Sequence, residues 1–139
     1  MKHENIAASV KMWHSHLSNI GECTIGEHGI IHSHVWIADG VKIGNRVRIQ
    51  AFSFIPSGVT IGDDVFIGPH ACFMNDKEPP SYGEKWAKTI VEDNVSVGAG
   101  AVILPGIILG KGCHIGAGAV VTHSVPSGET WVGNPARKM

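Results

Sequence analysis

A six-residue beat constrains this chain more than any other feature. From Ile25 it divides into IGEHGI, IHSHVW, IADGVK, IGNRVR, IQAFSF, IPSGVT, IGDDVF and IGPHAC. The leads are Ile25, Ile31, Ile37, Ile43, Ile49, Ile55, Ile61 and Ile67, then Phe73. After an interruption, Val91, Val97, Ile103, Leu109, Ile115 and Val121 resume in phase. All these leads are large and apolar, in a chain only 43% hydrophobic. A helix repeats at 3.6 residues and an exposed strand at 2, so a period of six fits neither a long helix nor one long flat strand.

The positions within each unit have their own character. The second is often glycine (Gly26, Gly44, Gly62, Gly68, Gly98, Gly110, Gly116), which permits a tight corner. The fifth is small or β-branched: Val35, Val41, Val47, Val59, Val65, Ala101, Cys113 and Ala119. Positions one and five therefore point inward, and each unit is one short strand and one turn. Three units close a triangular coil, and stacked coils pair as parallel strands about 4.8 Å apart. The expected fold is all-β, with about five such coils. It forms one domain over residues 1–139, with residues 1–24, where the register slips, as an irregular first coil and cap. The period does not fix the hand of the winding.

Composition excludes several functions. Eleven basic and twelve acidic side chains give no footprint for nucleic acid or an anionic membrane. The apolar run AVILPGIIL falls well short of the ~20 residues of a membrane span. MKHENIAAS has no hydrophobic signal region, and three cysteines without paired spacing imply no disulfide framework, so a reducing cytoplasm is expected.

The repeat pattern resembles the left-handed parallel β-helix of the hexapeptide-repeat acyltransferases. VGNPAR, Val132 to Arg137, is similar to the C-terminal signature of their acetyl-CoA-dependent members. The resemblance implies a pantetheine arm lying along the coils, in a groove between subunits of a homotrimer. Gly98 and Ala99 of VGAGAV and Gly116 and Ala117 of IGAGAV would line it, and Arg137 and Lys138 would meet the phosphates. The base of the prism is expected to be closed by WVGNPARKM or by a neighbouring subunit.

The interruption, FMNDKEPPSYGEKWAKTI, is too long for an ordinary connection and too aromatic for a disordered one. It is expected to leave the prism as an active-site loop over residues 74–90. Sugar O-acetyltransferases of the family carry a histidine near here as general base, and this loop has none. FMNDKEPP instead resembles the F-T-N-D-x-x-P stretch of the branch that acetylates amino groups of nucleotide-linked sugars for bacterial surface polysaccharides. The resemblance places Asn75 as a catalytic residue that orients the amine or holds the thioester oxygen, with Asp76 in the substrate site.

Residues 18 apart should stack, which puts His34, Phe52 and His70 in one column and His32, Gln50 and Gly68 in the next. A substrate pocket of His32, His34, Gln50 and His70 just before Asn75 is expected, with His70 or His34 accepting the proton. Gln50 also resembles the glutamine of I-Q-x-x-V in the amino-sugar branch. No metal is expected. A γ-class carbonic anhydrase on the same fold is the rival enzyme, but HSH does not match its histidine spacing. The same repeat also suits a sugar O-acetyltransferase or a non-catalytic β-helix scaffold, since fold alone does not decide function.

Overall fold

The computed structural model describes residues 5–139. The first four residues of the expected cap lie outside that range. Inward-facing leads and fifth positions make the core: Ile31, Ile37, Ile49, Ile55, Ile67, Val35, Val41, Val47, Val65, Ala101 and Cys113 are all essentially sealed from solvent. The prism interior is one continuous apolar column. Burial of this kind stabilises by about 1.5–3 kcal/mol for each large aliphatic side chain, which explains why no lead is polar.

Three parallel faces surround that column. The first carries Lys11–Met12, Ile30–Ile31, Arg48–Ile49, Phe66–Ile67, Ser96–Val97, His114–Ile115 and Thr130–Val132. The second carries Asn19–Ile20, Trp36–Ile37, Phe54–Ile55, Cys72–Phe73, Val102–Ile103 and Val120–Val121. Thr24–Ile25, Lys42–Ile43, Val59–Ile61, Thr89–Val91 and Ile108–Leu109 form the third. The architecture is an all-β parallel β-helix, consistent with left-handed winding. Among the described residues no helix is long and apolar enough to cross a membrane.

The stack is about 7 coils deep, not five. The six-residue count missed coils whose residues do not keep the beat. Residues 5–24 supply strands at Lys11–Met12 and Asn19–Ile20, and Ile6 bridges to Ile25; a short 3-10 turn, Ser15–Leu17, replaces one regular corner. At the other end, Val125 bridges to Leu109 and Thr130–Val132 extends the first face. Arg137–Lys138 then folds back antiparallel on Thr130–Val132, and buried Ala136 plugs the end of the column.

The excursion keeps phase because it inserts whole units. Arg48 pairs with Phe66 before it, and Phe66 with Ser96 across it. The offset thus grows by two hexapeptides, and every inward position stays inward.

Corners stack as closely as strands. Along the edge between third and first faces, Asn45, Asp63 and Asp93 each accept a backbone N–H from the preceding coil. Glu27 donates to Asn45 at 2.8 Å, Asn45 to Asp63 at 2.7 Å and Asp63 to Asp93 at 2.7 Å. A Cβ on Gly44 would sit 2.3 Å from the Asp63 carboxylate, so this second-position glycine makes room for the ladder.

Candidate active site

The fourth residue of each unit takes the left-handed conformation that turns the corner. Glycine fills many of these positions, including Gly40, Gly58, Gly100, Gly112 and Gly118. Others hold side chains: His28, His34, Arg46, Phe52, Asp64, His70 and Asn94 all have φ between 54° and 66°. For a bulky residue such as Phe52 this costs about 1–3 kcal/mol. Strain of that size persists where the surroundings over-determine it, and it clusters at functional sites.

Three of these residues stack on the edge between first and second faces. The His34 and Phe52 rings lie 4.8 Å apart at 15°, and Phe52 and His70 lie 4.9 Å apart at 10°. The spacing is the coil repeat itself. Ser33 Oγ lies 3.1 Å from His34 Nδ1, whereas the His70 ring has no hydrogen-bond partner among the described residues. Gln50 and His32 are half-buried at the same edge. The carbonyl of Gln50 accepts the Ser53 hydroxyl at 2.8 Å, which ties down the backbone beneath the stack.

The same edge continues through the small residues. Ile67 pairs with Val97 and Val97 with Ile115, so Gly98-Ala99-Gly100 and Gly116-Ala117-Gly118 follow Gly68 and His70 in line. Ala99, Gly100, Ala117 and Gly118 are exposed. A Cβ on Gly100 or Gly118 would meet nothing within 4 Å, so an open strip begins where the ring stack ends. Gly98 and Gly116 serve the coil instead: a Cβ on Gly98 would lie 2.5 Å from the Ala117 nitrogen, and one on Gly116 2.7 Å from a Val132 methyl.

The GNPAR turn lies at the foot of this edge. Val120 N–H donates to the Gly133 carbonyl at 2.9 Å, and Ala136 N–H to the Val120 carbonyl at 2.8 Å. Much of the motif therefore closes the prism, as expected of WVGNPARKM. Arg137 is exposed and donates through Nη1 to the Ala136 carbonyl at 2.7 Å, leaving most of its donors to solvent. Lys138 Nζ sits 3.7 Å from Glu129 Oε2. An open Gly-Ala strip ending at two exposed cations fits a long, anion-tailed ligand such as coenzyme A.

Asn75 and Asp76 lie elsewhere. The chain leaves the prism after Cys72–Phe73, at the edge between second and third faces, so one whole face separates Asn75 from His70. The expected single cluster is not formed within one chain. Asn75 Nδ2 donates to the Ser57 carbonyl at 3.1 Å, and its own backbone carbonyl accepts Ala87 N–H at 2.8 Å, so it pins both ends of the loop. Asp76 accepts Glu78 N–H at 3.1 Å and Ser81 N–H at 2.8 Å. Burial opposes its charge, but the donors from Ser81, Glu78 and Trp86 hold its carboxyl below the ordinary carboxylate range. Both residues organise the loop, a use that an NDKEPP string does not distinguish from ligand contact.

Comparison with known proteins agrees with this architecture. The family model described as bacterial transferase hexapeptide (six repeats) matches residues 40–73. The hexapeptide repeat of succinyl-transferase matches residues 88–123. Both matched segments are thus similar to the hexapeptide repeats of bacterial transferases. The protein is 43% identical over 76 residues to a 2,3,4,5-tetrahydropyridine-2,6-dicarboxylate N-acetyltransferase of Staphylococcus aureus, covering 55% of this chain and 30% of that protein. The chain thus spans about a third of the length of the curated relatives it matches.

Two solved structures illustrate the shared fold. One is a variant of GDP-perosamine N-acetyltransferase from Caulobacter crescentus with CoA and GDP-perosamine. Its TM-score is 0.71 at 21% identity, covering 96% of this chain and 52% of that one. The other is a variant of AntD, an N-acyltransferase from Bacillus cereus, with dTDP-4-amino-4,6-dideoxyglucose and coenzyme A. Its TM-score is 0.74 at 21% identity, covering 98% of this chain and 80% of that one.

Proposed function

We propose that this protein is an acetyl-CoA-dependent N-acetyltransferase acting on the amino group of a nucleotide-linked amino sugar, in the cytoplasm, for surface polysaccharide assembly. One observation carries the reading. A single prism edge runs from the His34–Phe52–His70 stack through the exposed Ala99–Gly100 and Ala117–Gly118 strip to Arg137. A proton acceptor and a groove for an extended donor therefore share one line.

Acetyl-CoA supplies an activated acyl group, and the chain supplies the geometry. Arg137 and Lys138 hold the anionic end of the donor, while the side-chain-free strip lets backbone groups line its arm. His70, whose ring has no hydrogen-bond partner among the described residues, accepts the proton that the amine sheds as it attacks the thioester carbon, and passes it to the coenzyme A thiolate that leaves as the C–S bond breaks. The loop of residues 74–88 contains no histidine, so it offers no base of its own for a hydroxyl acceptor. Because that loop leaves from another edge, the reading requires a second copy to bring it to the stack, and a homotrimer with sites between subunits meets that need.

The likeness to a dicarboxylate N-acetyltransferase favours a second acceptor class, an amine on a small diacid. A thiol-release assay with acetyl-CoA decides between them. Its acceptors are nucleotide-linked amino sugars, their hydroxyl analogues and an amino dicarboxylate. Turnover confined to the amino sugars is expected. Turnover of only the diacid or only the hydroxyl compounds overturns the sugar-amine reading.

A further inference from the structure

A catalytic imidazole is ordinarily oriented by a hydrogen bond on its second ring nitrogen. His70 has none among the described residues, yet its ring lies within 10° of parallel to Phe52. We propose that Phe52 is a positioning residue that aims His70 by stacking, in place of that hydrogen bond; this rests on the reading of His70 as proton acceptor.

Three observations support it. The fold does not ask for phenylalanine there: the same corner position is Arg46 and Gly58 in the flanking units, and Gly100 and Gly118 farther along the same edge. Phe52 adds little to the core, being 52% exposed. It is nonetheless held at φ 66°, a conformation that suits glycine, asparagine or aspartate and not a bulky aromatic. The ring is wedged between two imidazoles, so it blocks one face of each. The other face of His70 looks along the edge to Gly100, where no side chain competes for the space. His70 is left with rotation largely confined to its own plane, at a fixed height beside the open strip. His34 differs, because Ser33 Oγ at 3.1 Å gives its ring an additional anchor.

The test compares Phe52→Gly, Phe52→Leu and Phe52→Tyr in the full chain. In the wild type, the ring protons of His70 should be shifted upfield by the Phe52 ring current in NMR spectra. Phe52→Gly and Phe52→Leu should abolish that shift, and Phe52→Tyr should keep it. With the best acceptor, kcat should fall about tenfold to a hundredfold in the Gly and Leu variants, with KM for acetyl-CoA unchanged, and recover in the Tyr variant. The thermal midpoint of Phe52→Gly should hold or rise, since the corner conformation then carries no strain. Wild-type kcat in Phe52→Gly, or a midpoint that drops with no kinetic change, overturns the proposal. If the wild type turns over no acceptor, the functional reading fails separately. The ring-current measurement then decides the clamp alone, and an unshifted His70 overturns it.

Discussion

His70 and the two buried cysteines show how place in the repeat sets opposite chemistries. His70 stands at a fourth position, exposed on the outside of a corner. Replacing it by Gln keeps the size and a hydrogen-bonding group but removes the proposed proton acceptor. Turnover should fall by about 10²–10⁴ with the coils intact, which steady-state kinetics and circular dichroism check together. Cys113 stands at a fifth position and is sealed in the core, and Cys23 is buried at the start of the column. Burial pushes both thiols up from an ordinary 9.0 to about 11. The folded state keeps these protons while the unfolded chain loses them, so their contribution is intact below pH 9 and drains away as pH climbs towards 11. The thermal midpoint should therefore decline between pH 9 and 11, and a Cys113→Ala variant should show a shallower decline. An identical slope in both would remove the thiol from the account. The inward place of Cys113 was legible from its phase. The stacking of His34, Phe52 and His70 was legible as an interval of three units, but its left-handed backbone was not, because glycine at the same position elsewhere hides what the corner demands.

The loop between Phe73 and Thr89 interrupts the repeat from within. Its existence could be read from the broken count, and its in-phase return from the two extra hexapeptides. Its internal order could not. Asn75 spends its side-chain amide on Ser57, its neighbour 18 residues back in the stack, and Asp76 spends its carboxylate on Glu78 and Ser81 inside the loop itself. Isolated pairing of Asp76 with Trp86 narrows the base of the loop, and the Lys77 side chain packs over the place a Gly106 Cβ would take, 3.4 Å away. Asp76→Ala should thus loosen the loop without emptying the core. Limited proteolysis should cut within residues 76–88 faster than in the wild type, while the thermal midpoint of the coils moves little. Turnover should drop with the loop's order. If cleavage stays slow and activity stays full, Asp76 neither organises the loop nor serves the site. Acid should act in the same direction, since the lowered carboxyl favours the ordered loop only while ionised. That benefit is present above the unfolded carboxylate range and is lost as pH falls through the lowered folded value.

At the scale of the whole molecule, the two parts of the proposed site, the His70 edge and the loop, lie on different edges with the second face between them. That face is unusually apolar on its outside: Trp36 is 46% and Phe54 39% exposed, with ring centroids 6.2 Å apart, and Cys72, Val102 and Val120 continue the stripe half-buried. A second copy packed there would cover the stripe and bring its own edge towards the loop. Sedimentation should therefore give a trimer, three times the 14.8 kDa chain, and Trp36→Glu should dissociate it and end turnover while the β-helix spectrum persists. Complementation is the sharper check. A chain carrying Asp76→Ala has a damaged loop and an intact edge; one carrying His70→Gln has the reverse. Mixed trimers should then contain some sites built from two sound halves, and their activity should exceed that of either variant alone. Verified mixing without any gain would mean that loop and edge of the same chain serve the same site, or that the loop serves none. In the first case the substrate itself would have to cross the face separating them, and in either case Trp36 and Phe54 would need another reason to stand in water.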